Sequence, residues 1–164
     1  MDSGSTEAKL AIIKAIASSV YSTMQYDYEE KGVAHVNAGR VIGLHETFED
    51  KLAECRHHAL YTQVLLQACG ITSRLLKCDV DFGNGQLGAH AANIVRVNSK
   101  WYLLDATNPD SKDGVGEVFL IPLPERDIDP NSSNAMEWTV PRKKDGKSWK
   151  YRSRNNMYSM IRHE

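Results

Sequence analysis

Cysteine is scarce in this sequence, and Cys55, Cys69 and Cys78 lack the even number and the spacing of a disulfide framework. No Cys-x-x-Cys pair occurs, and His45-Glu46 lacks the second histidine of a metalloprotease helix, so we expect no metal and no other cofactor. The first residues also lack the apolar run of a signal peptide. These absences favour a reducing cytosol as the working compartment, including a host cytosol if the protein is a delivered effector.

Composition excludes several other classes of protein. Hydrophobic residues make up 41% and charged residues 25% of the chain, which is close to the globular average and unlike disordered or collagenous chains. No stretch is apolar enough to predict a membrane span, and no segment has a phosphate-loop spacing or a base-reading pattern, so we expect neither membrane nor nucleic acid as a partner. The 164 residues suit one core, so we predict a single domain over residues 1–164.

Positive charge is concentrated near the end of the chain. Residues 138–164 contain eight lysines and arginines against two acidic residues, although the whole chain has a net charge of -1. Asp145-Gly146 predicts a two-residue hairpin turn that pairs Val140 with Tyr151, and Pro141 predicts that this hairpin lies at a sheet edge. One interpretation of the basic hairpin is a binding surface for an acidic partner, and the other is a solvated face.

Two segments have the features of helices. Residues 6–22 place apolar side chains at helical spacing after Ser3 or Ser5, either of which could cap the helix. Residues 55–69 contain no glycine or proline, and Gly70 then provides a helix-ending residue. Because this second segment is apolar on more than one side, we predict a central helix that is buried on several faces.

The middle of the chain alternates as strands do. Strand-like runs cover residues 74–80, 90–97, 101–105 and 117–121, and a proline-containing surface loop is predicted over residues 122–134. The first three runs are separated by a glycine-rich loop at residues 83–88 and by Asn98 and Ser99, which favours antiparallel pairing. The prediction is therefore an α+β domain in which the central helix, starting at Cys55, packs on an antiparallel sheet.

Cys55 is placed at the predicted start of the central helix. Unpaired N–H groups and the positive end of the helix dipole stabilise a thiolate there, and the N–H of Cys55 itself could stabilise an oxyanion. The alternative is that Cys55 is a small buried apolar residue, as free cysteines often are. The residue therefore needs partners before it can be interpreted as a nucleophile.

His90 and Asp105 are the partners that the strand register supplies. If Asn98 and Ser99 form a two-residue turn, His90 and Asp105 become diagonal neighbours on one face, with backbones roughly 7–8 Å apart. A three-residue turn would put them on opposite faces. The two-residue turn predicts a cysteine, a histidine and a carboxylate within reach of one another.

The same region resembles the transglutaminase-like superfamily of papain-like thiol enzymes. The resemblance is carried, in order and with family spacing, by Cys55, Ala59, Leu65, Gly70-Ile71, Arg74, His90-Ala91, Trp101 and Asp105-Ala106-Thr107. It implies a transglutaminase-like fold in which Cys55 is the nucleophile, His90 the base that later protonates the leaving group, and Asp105 the group that orients His90.

The resemblance leaves some positions open. Family members commonly carry glycine next to the nucleophile, whereas Ala53-Glu54 stand here, and Glu54 could oppose formation of the thiolate. Gln25 is a candidate for an oxyanion side chain, and His58 and Trp101 are candidates for contact with substrate. The expected substrate is a protein or peptide.

Three reactions fit this chemistry, and the residues do not choose among them. Water attacking a main-chain acyl-enzyme gives a peptidase, water on a glutamine acyl-enzyme gives a deamidase, and a lysine amine gives a transglutaminase. We favour hydrolysis over cross-linking. The alternative from another class is a non-catalytic protein-binding module of the same fold.

Overall fold

The computed structural model describes residues 4–26, 52–108, 119–123, 137–142 and 146–153, with the backbone alone at 25–26, 52–53 and 119–123. The described elements are, in chain order, α1 (Thr6–Thr23), β1 (Gln25–Tyr26), β2 (Leu52–Ala53), α2 (Cys55–Ala68), β3 (Ser73–Asp81), β4 (Leu87–Val97), β5 (Lys100–Asp105), β6 (Phe119–Leu123), β7 (Glu137–Pro141) and β8 (Ser148–Ser153). Strands β3 to β8 form an antiparallel sheet in the order β6-β5-β4-β3-β8-β7. The predicted α+β fold is confirmed.

Helix α1 begins and packs as its sequence predicts. Ser5 is the N-cap, and its hydroxyl oxygen accepts a hydrogen bond from the Ala8 N–H at 3.1 Å, which satisfies one of the free donors of the first turn. Ile13, Ala17 and Val20 are buried at helical spacing. Neither described helix is both long and apolar enough to cross a membrane.

Helix α2 is buried on one face only, so the prediction of burial on several faces is wrong. Leu60, Val64 and Leu65 are 38–46% exposed, and the Cys69 side chain, directly after the helix, is exposed as well. The buried face contains two apolar and three polar residues, namely Ala59, Leu66, His58, Thr62 and Gln63. The helix still ends as predicted, since Gly70 adopts the left-handed conformation with a φ of 70°.

The two faces of the sheet carry different cores. One face packs against both helices, and its cluster contains Ile13, Ala17, Leu66, Val95, Val97, Tyr102, Leu104 and Ala106. The other face carries a cluster from β3, β4, β5, β7 and β8, namely Leu76, Cys78, Val80, Ala92, Ile94, Leu103, Trp138, Val140, Trp149 and Tyr151. The sheet curls around this second cluster, since the Tyr151 hydroxyl of β8 contacts Asp105 of β5 across two intervening strands.

The turn between β4 and β5 is the predicted two-residue turn. Val97 pairs with Lys100, and Asn98 and Ser99 have φ values of 47° and 67°, as a type I′ turn requires. The next pairs follow in register as far as Asn93 with Leu104. This register fixes which residues of β4 and β5 share a face.

The predicted pairing within the C-terminal hairpin is wrong by two residues. Val140 pairs with Trp149 and Trp138 with Tyr151, because the loop is closed by Arg142 and Lys147, whose backbone bond measures 2.8 Å. The shift is even, so Trp138, Val140, Trp149 and Tyr151 share one face in both the predicted and the observed register. Strand β7, with its proline, lies at the sheet edge as predicted.

Strand β6 forms the opposite edge of the sheet. It covers Phe119–Leu123, two residues later than the predicted strand, and it includes Pro122, which the sequence had placed in a loop. Proline is tolerated at an edge because the missing N–H need not join a ladder. The rest of the predicted loop, residues 124–134, lies outside the described residues.

Candidate active site

Cys55 is the first residue of α2, and its half-buried thiol lies against β4. The thiol hydrogen-bonds to the His90 side chain and accepts from the Ala91 N–H. Burial by itself raises the pKa of Cys55, but the hydrogen bond and positive charge of His90, aided by Ala91, bring it below its usual value. The geometry therefore favours a thiolate at this helix start.

His90 connects the thiol to a buried carboxylate. Its Nε2 donates to Asp105 Oδ2 at 2.8 Å, which leaves Nδ1 for Cys55. Both side chains are almost fully buried. Burial by itself lowers the pKa of His90, but the charge and hydrogen bond of Asp105, with those of Cys55, raise it to about 10. His90 is therefore an imidazolium at neutral pH, paired with a thiolate on one side and a carboxylate on the other.

Asp105 is fully buried, and several donors hold it in place. Besides His90, Tyr151 Oη donates to Oδ2 at 2.7 Å, Asn108 Nδ2 donates to Oδ2 at 2.9 Å, and the Thr107 N–H donates to Oδ1 at 3.1 Å. Burial by itself raises the pKa of Asp105, but these bonds and the charge of His90 hold it below its usual range. The carboxylate is therefore ionised and fixed in orientation.

Aromatic side chains enclose the imidazole on the side of the curled core. The Phe82 ring meets His90 edge to face with centroids 6.1 Å apart, and Phe82 in turn packs edge to face on Trp149 at 4.6 Å. These rings restrict the motion of the imidazole and keep water away from it. No pattern in the sequence predicts Phe82, Asn108 and Tyr151 as neighbours of the site.

The carboxylate of Glu54, next to the Cys55 thiol in sequence, is not an isolated charge. It is the N-cap residue of α2, and its carboxylate forms an ion pair with Arg56 at 3.0 Å. Its backbone N–H donates to His57 Nδ1 at 3.0 Å. The residue that departs from the common family pattern is thus used to begin the helix.

The remaining candidates fall in different places. Trp101 lies at the opposite end of β5 from Asp105, about 13 Å along the strand, and packs on the curled core, and its contact with substrate stays a prediction. Gln25 pairs with Leu52 in a short parallel ladder that ends two residues before Cys55. This brings the Gln25 backbone close to the helix start, and its oxyanion role stays a prediction.

His58 is a structural residue of the site rather than a substrate contact. It is fully buried, with Nε2 2.8 Å from the Met24 carbonyl oxygen and Nδ1 3.0 Å from the Thr107 hydroxyl. Both ring nitrogens are thereby used inside the protein, and burial lowers the pKa of the imidazole. His58 joins the end of α1, the first turn of α2 and the segment after β5.

We expect His58→Ala to lower the free energy of unfolding by about 3 kcal/mol, because it leaves a cavity and removes the partner of the buried Met24 carbonyl. Urea unfolding followed by circular dichroism measures the change. The neighbouring substitution His57→Ala is the matched control and should cost about 1 kcal/mol, since it removes a partly exposed bond to Glu54. Equal losses for the two variants would contradict the structural role of His58.

Comparison with known proteins agrees with the fold. The family model described as a transglutaminase-like domain matches residues 4–114. No curated protein matches the chain. Eight chains of solved structures match, among them a Cytophaga hutchinsonii protein provisionally named a cysteine protease, with 18% identity and a TM-score of 0.49. That alignment covers 69% of this chain and 35% of the other, so this chain spans about a third of its neighbour's length.

The family match defines the class of the protein. The chain belongs to the transglutaminase-like family, because the family model covers about two thirds of its length and includes Cys55, His90 and Asp105. The resemblance and the fold predicted from the sequence are confirmed. At this level the protein is a member of a thiol-enzyme family.

Proposed function

We propose that this protein is a cysteine hydrolase that cleaves an amide of a protein or peptide substrate through a Cys55 acyl-enzyme. The observation that carries the proposal is the chain of contacts from the Cys55 thiol through His90 to the buried Asp105 carboxylate. A helix start, an imidazole and a fixed carboxylate are the parts that thiol acyl transfer needs. In a non-catalytic binding module, nothing would require these three groups to be aligned.

The proposed reaction follows from the roles of these groups. Cys55 Sγ forms a bond to the amide carbon, and the N–H at the helix start, which lacks an intrahelical acceptor, donates to the oxyanion. His90 gives its proton to the leaving nitrogen as the C–N bond breaks. Water then attacks the thioester while His90 accepts a proton, and the C–S bond breaks to release the acid and restore the pair.

The amide is either a peptide bond or the side chain of a protein glutamine. We assign water as the acceptor because hydrolysis needs one substrate site, whereas cross-linking needs a second site for an amine. Mass spectrometry of a cytosolic protein extract incubated with the enzyme separates the outcomes: new termini indicate a peptidase, a gain of about one dalton at glutamine a deamidase, and joined peptides a transglutaminase. Joined peptides as the main product would overturn the hydrolase assignment.

Iodoacetamide at neutral pH is expected to alkylate Cys55 in preference to Cys69 and Cys78. Only the thiolate reacts, and the pKa of Cys55 is lowered, so the alkylation rate should rise with pH and level off below the ordinary thiol pKa of about 8.5. Exposure alone would instead favour Cys69. Peptide mass spectrometry after brief labelling measures the three rates.

The control for this labelling is His90→Ala. Without the imidazolium, burial of the thiol is no longer outweighed, so the Cys55 rate at neutral pH should fall about tenfold for each unit by which its pKa rises. Labelling of Cys69 should stay the same. Equal labelling of all three cysteines in the unaltered protein would remove the basis for a catalytic Cys55.

The basic C-terminal hairpin keeps its proposed role as a surface for an acidic partner, but its neighbours weaken the case. Lys150 and Arg152 are exposed on β8, and they stand opposite Asp81 and Asp79 of β3 in the strand register. Hydrogen bonds from the N–H groups of Gly85, Gly83 and Asn84 lower the pKa of Asp81, and the charge of Lys150 lowers it further. Carboxylates of the same sheet therefore already face two of the cations.

A further inference from the structure

Tyr151 reaches the active site from a distant part of the fold. In sheet order, β4 and β3 separate its strand β8 from β5, which ends at Asp105. In a flat sheet this separation would be about 14 Å, yet the Tyr151 hydroxyl donates to Asp105 Oδ2 at 2.7 Å. The curl of the sheet makes the contact, and both side chains are fully buried. The tyrosine also lies outside residues 4–114, which the family model matches.

We infer that Tyr151 is a positioning residue of the Cys55–His90–Asp105 site, so that the C-terminal hairpin is part of the active site. The inference rests on the proposed function and adds a residue to it. Tyr151 donates to the same carboxylate oxygen that accepts from His90. It therefore acts on the imidazole through Asp105 and touches neither the thiol nor the substrate.

The hydroxyl can only donate in this position. Burial and the charge of Asp105 raise the pKa of Tyr151 well above its usual value, so the phenol keeps its proton. A donor stabilises a buried carboxylate most strongly when the opposing imidazolium has lost its charge. Tyr151 thus favours neutral His90 relative to charged His90 and restrains the basicity of the imidazole.

Other parts of the hairpin support the same placement. The Arg142 guanidinium carbon stacks 3.8 Å above the centroid of the Trp149 ring, and Arg142 Nη1 donates to the Asn108 carbonyl oxygen at 3.2 Å. Asn108 is itself a donor to Asp105. The hairpin therefore holds the carboxylate directly through Tyr151 and holds the segment after β5 through Arg142.

The titratable and charged groups that act on Tyr151 and Asp105 come from four parts of the fold, and a substitution of Tyr151 leaves them in place. They are Cys55 and His58 of α2, Cys78 of β3, His90 of β4, and Arg142 after β7. A change confined to the Tyr151 hydroxyl leaves all five unaltered. A shift in the titration of the site then reports the lost hydrogen bond.

The test is Tyr151→Phe, with the pH dependence of Cys55 alkylation by iodoacetamide as the readout. We expect the step in rate that accompanies loss of the His90 proton, near pH 10 in the unaltered protein, to move upward by about half a unit to one unit. The less acidic imidazolium is a poorer proton donor, so kcat should fall by up to about tenfold with little change in KM. Titration of the His90 ring by NMR measures the same shift.

Two further proteins separate positioning from packing. Tyr102→Phe removes a hydroxyl from the helix-facing side of the same sheet and should leave the His90 titration unchanged. Site-specific replacement of Tyr151 by a fluorotyrosine keeps the ring and makes the hydroxyl a stronger donor, so it should lower the His90 pKa. If Tyr151→Phe does not fold, this replacement tests the inference in its place.

The inference is overturned if the His90 step in the alkylation rate stays in place or moves to lower pH in Tyr151→Phe. It is also overturned if this step does not respond to fluorotyrosine. Failure of the proposed function would look different, because Cys55 would then lack preferential labelling in the unaltered protein. The two failures are therefore distinguishable in one set of measurements.

Discussion

Cys55→Ala should abolish measurable turnover, with a loss of about 10⁴-fold or more in kcat. The substitution removes the atom that forms the acyl-enzyme and leaves the fold almost intact, since the Cys55 side chain is only half-buried. His90 and Asp105 then remain without a nucleophile. The substrate found by mass spectrometry provides the assay, and circular dichroism verifies that the variant is folded.

Cys69→Ala is the matched control, because it removes an exposed thiol from the other end of the same helix. Its kcat should equal that of the unaltered protein. If Cys55→Ala kept more than about a tenth of the activity, another group would have to be the nucleophile, and the acyl-enzyme mechanism would be wrong.

Asp105→Asn should lower kcat/KM by about 10³-fold and move the alkaline limb of its pH profile to lower pH. The pKa of His90 is raised to about 10 against the effect of burial, and the charge of Asp105 is the largest of the contributions that raise it, so removing this charge lets the imidazolium lose its proton at lower pH. An asparagine amide also cannot satisfy its surroundings, because either orientation places an N–H₂ group against donors. The pH profile of Cys55 alkylation measures the shift without a substrate.

Asp79→Asn provides the comparison for this loss of charge. Asp79 lies on β3 opposite Arg152, with its side chain half-buried on the other side of the strand from Cys78. Both the rate and the pH profile should be unchanged. An unshifted alkaline limb in Asp105→Asn would show that the carboxylate does not control the imidazole.

Local signals were sufficient to predict the centre of the site. Asn98 and Ser99 accept the left-handed conformations of a tight turn, and that turn sets the register of β4 and β5. Once the register is known, His90 and Asp105 must share a face. Gly70 gave the end of α2 in the same way, because its backbone conformation is a local property.

Contacts that depend on the curl of the sheet could not be predicted. Strand register says which residues are opposite one another, but it does not say that Tyr151 reaches Asp105 across two intervening strands. The hairpin register itself was wrong because the closing pair Arg142 and Lys147 lies two positions further apart than a two-residue turn allows.

The buried face of α2 also depends on contacts with residues that are distant in sequence. Its leucines and valine suggested burial, whereas Gln63 is the buried residue because its amide donates to the Ser73 carbonyl oxygen at 3.0 Å. Asn93 of β4 likewise donates to the Ala59 carbonyl oxygen at 2.9 Å. The spacing of apolar residues along a helix predicts which side is apolar. It does not predict which polar side chains are buried, because their hydrogen-bond partners come from strands that are distant in sequence.

The position of Tyr151 in the chain has a consequence for the order of folding. During synthesis Cys55, His90 and Asp105 leave the ribosome well before Tyr151, which follows Asp105 by 46 residues. Domains generally acquire structure from the N-terminal end during synthesis, and contacts distant in sequence form late. The carboxylate therefore gains the Tyr151 donor only when β8 docks beside β3, so a nascent chain completes the proposed active site only after the C-terminal hairpin has been synthesised.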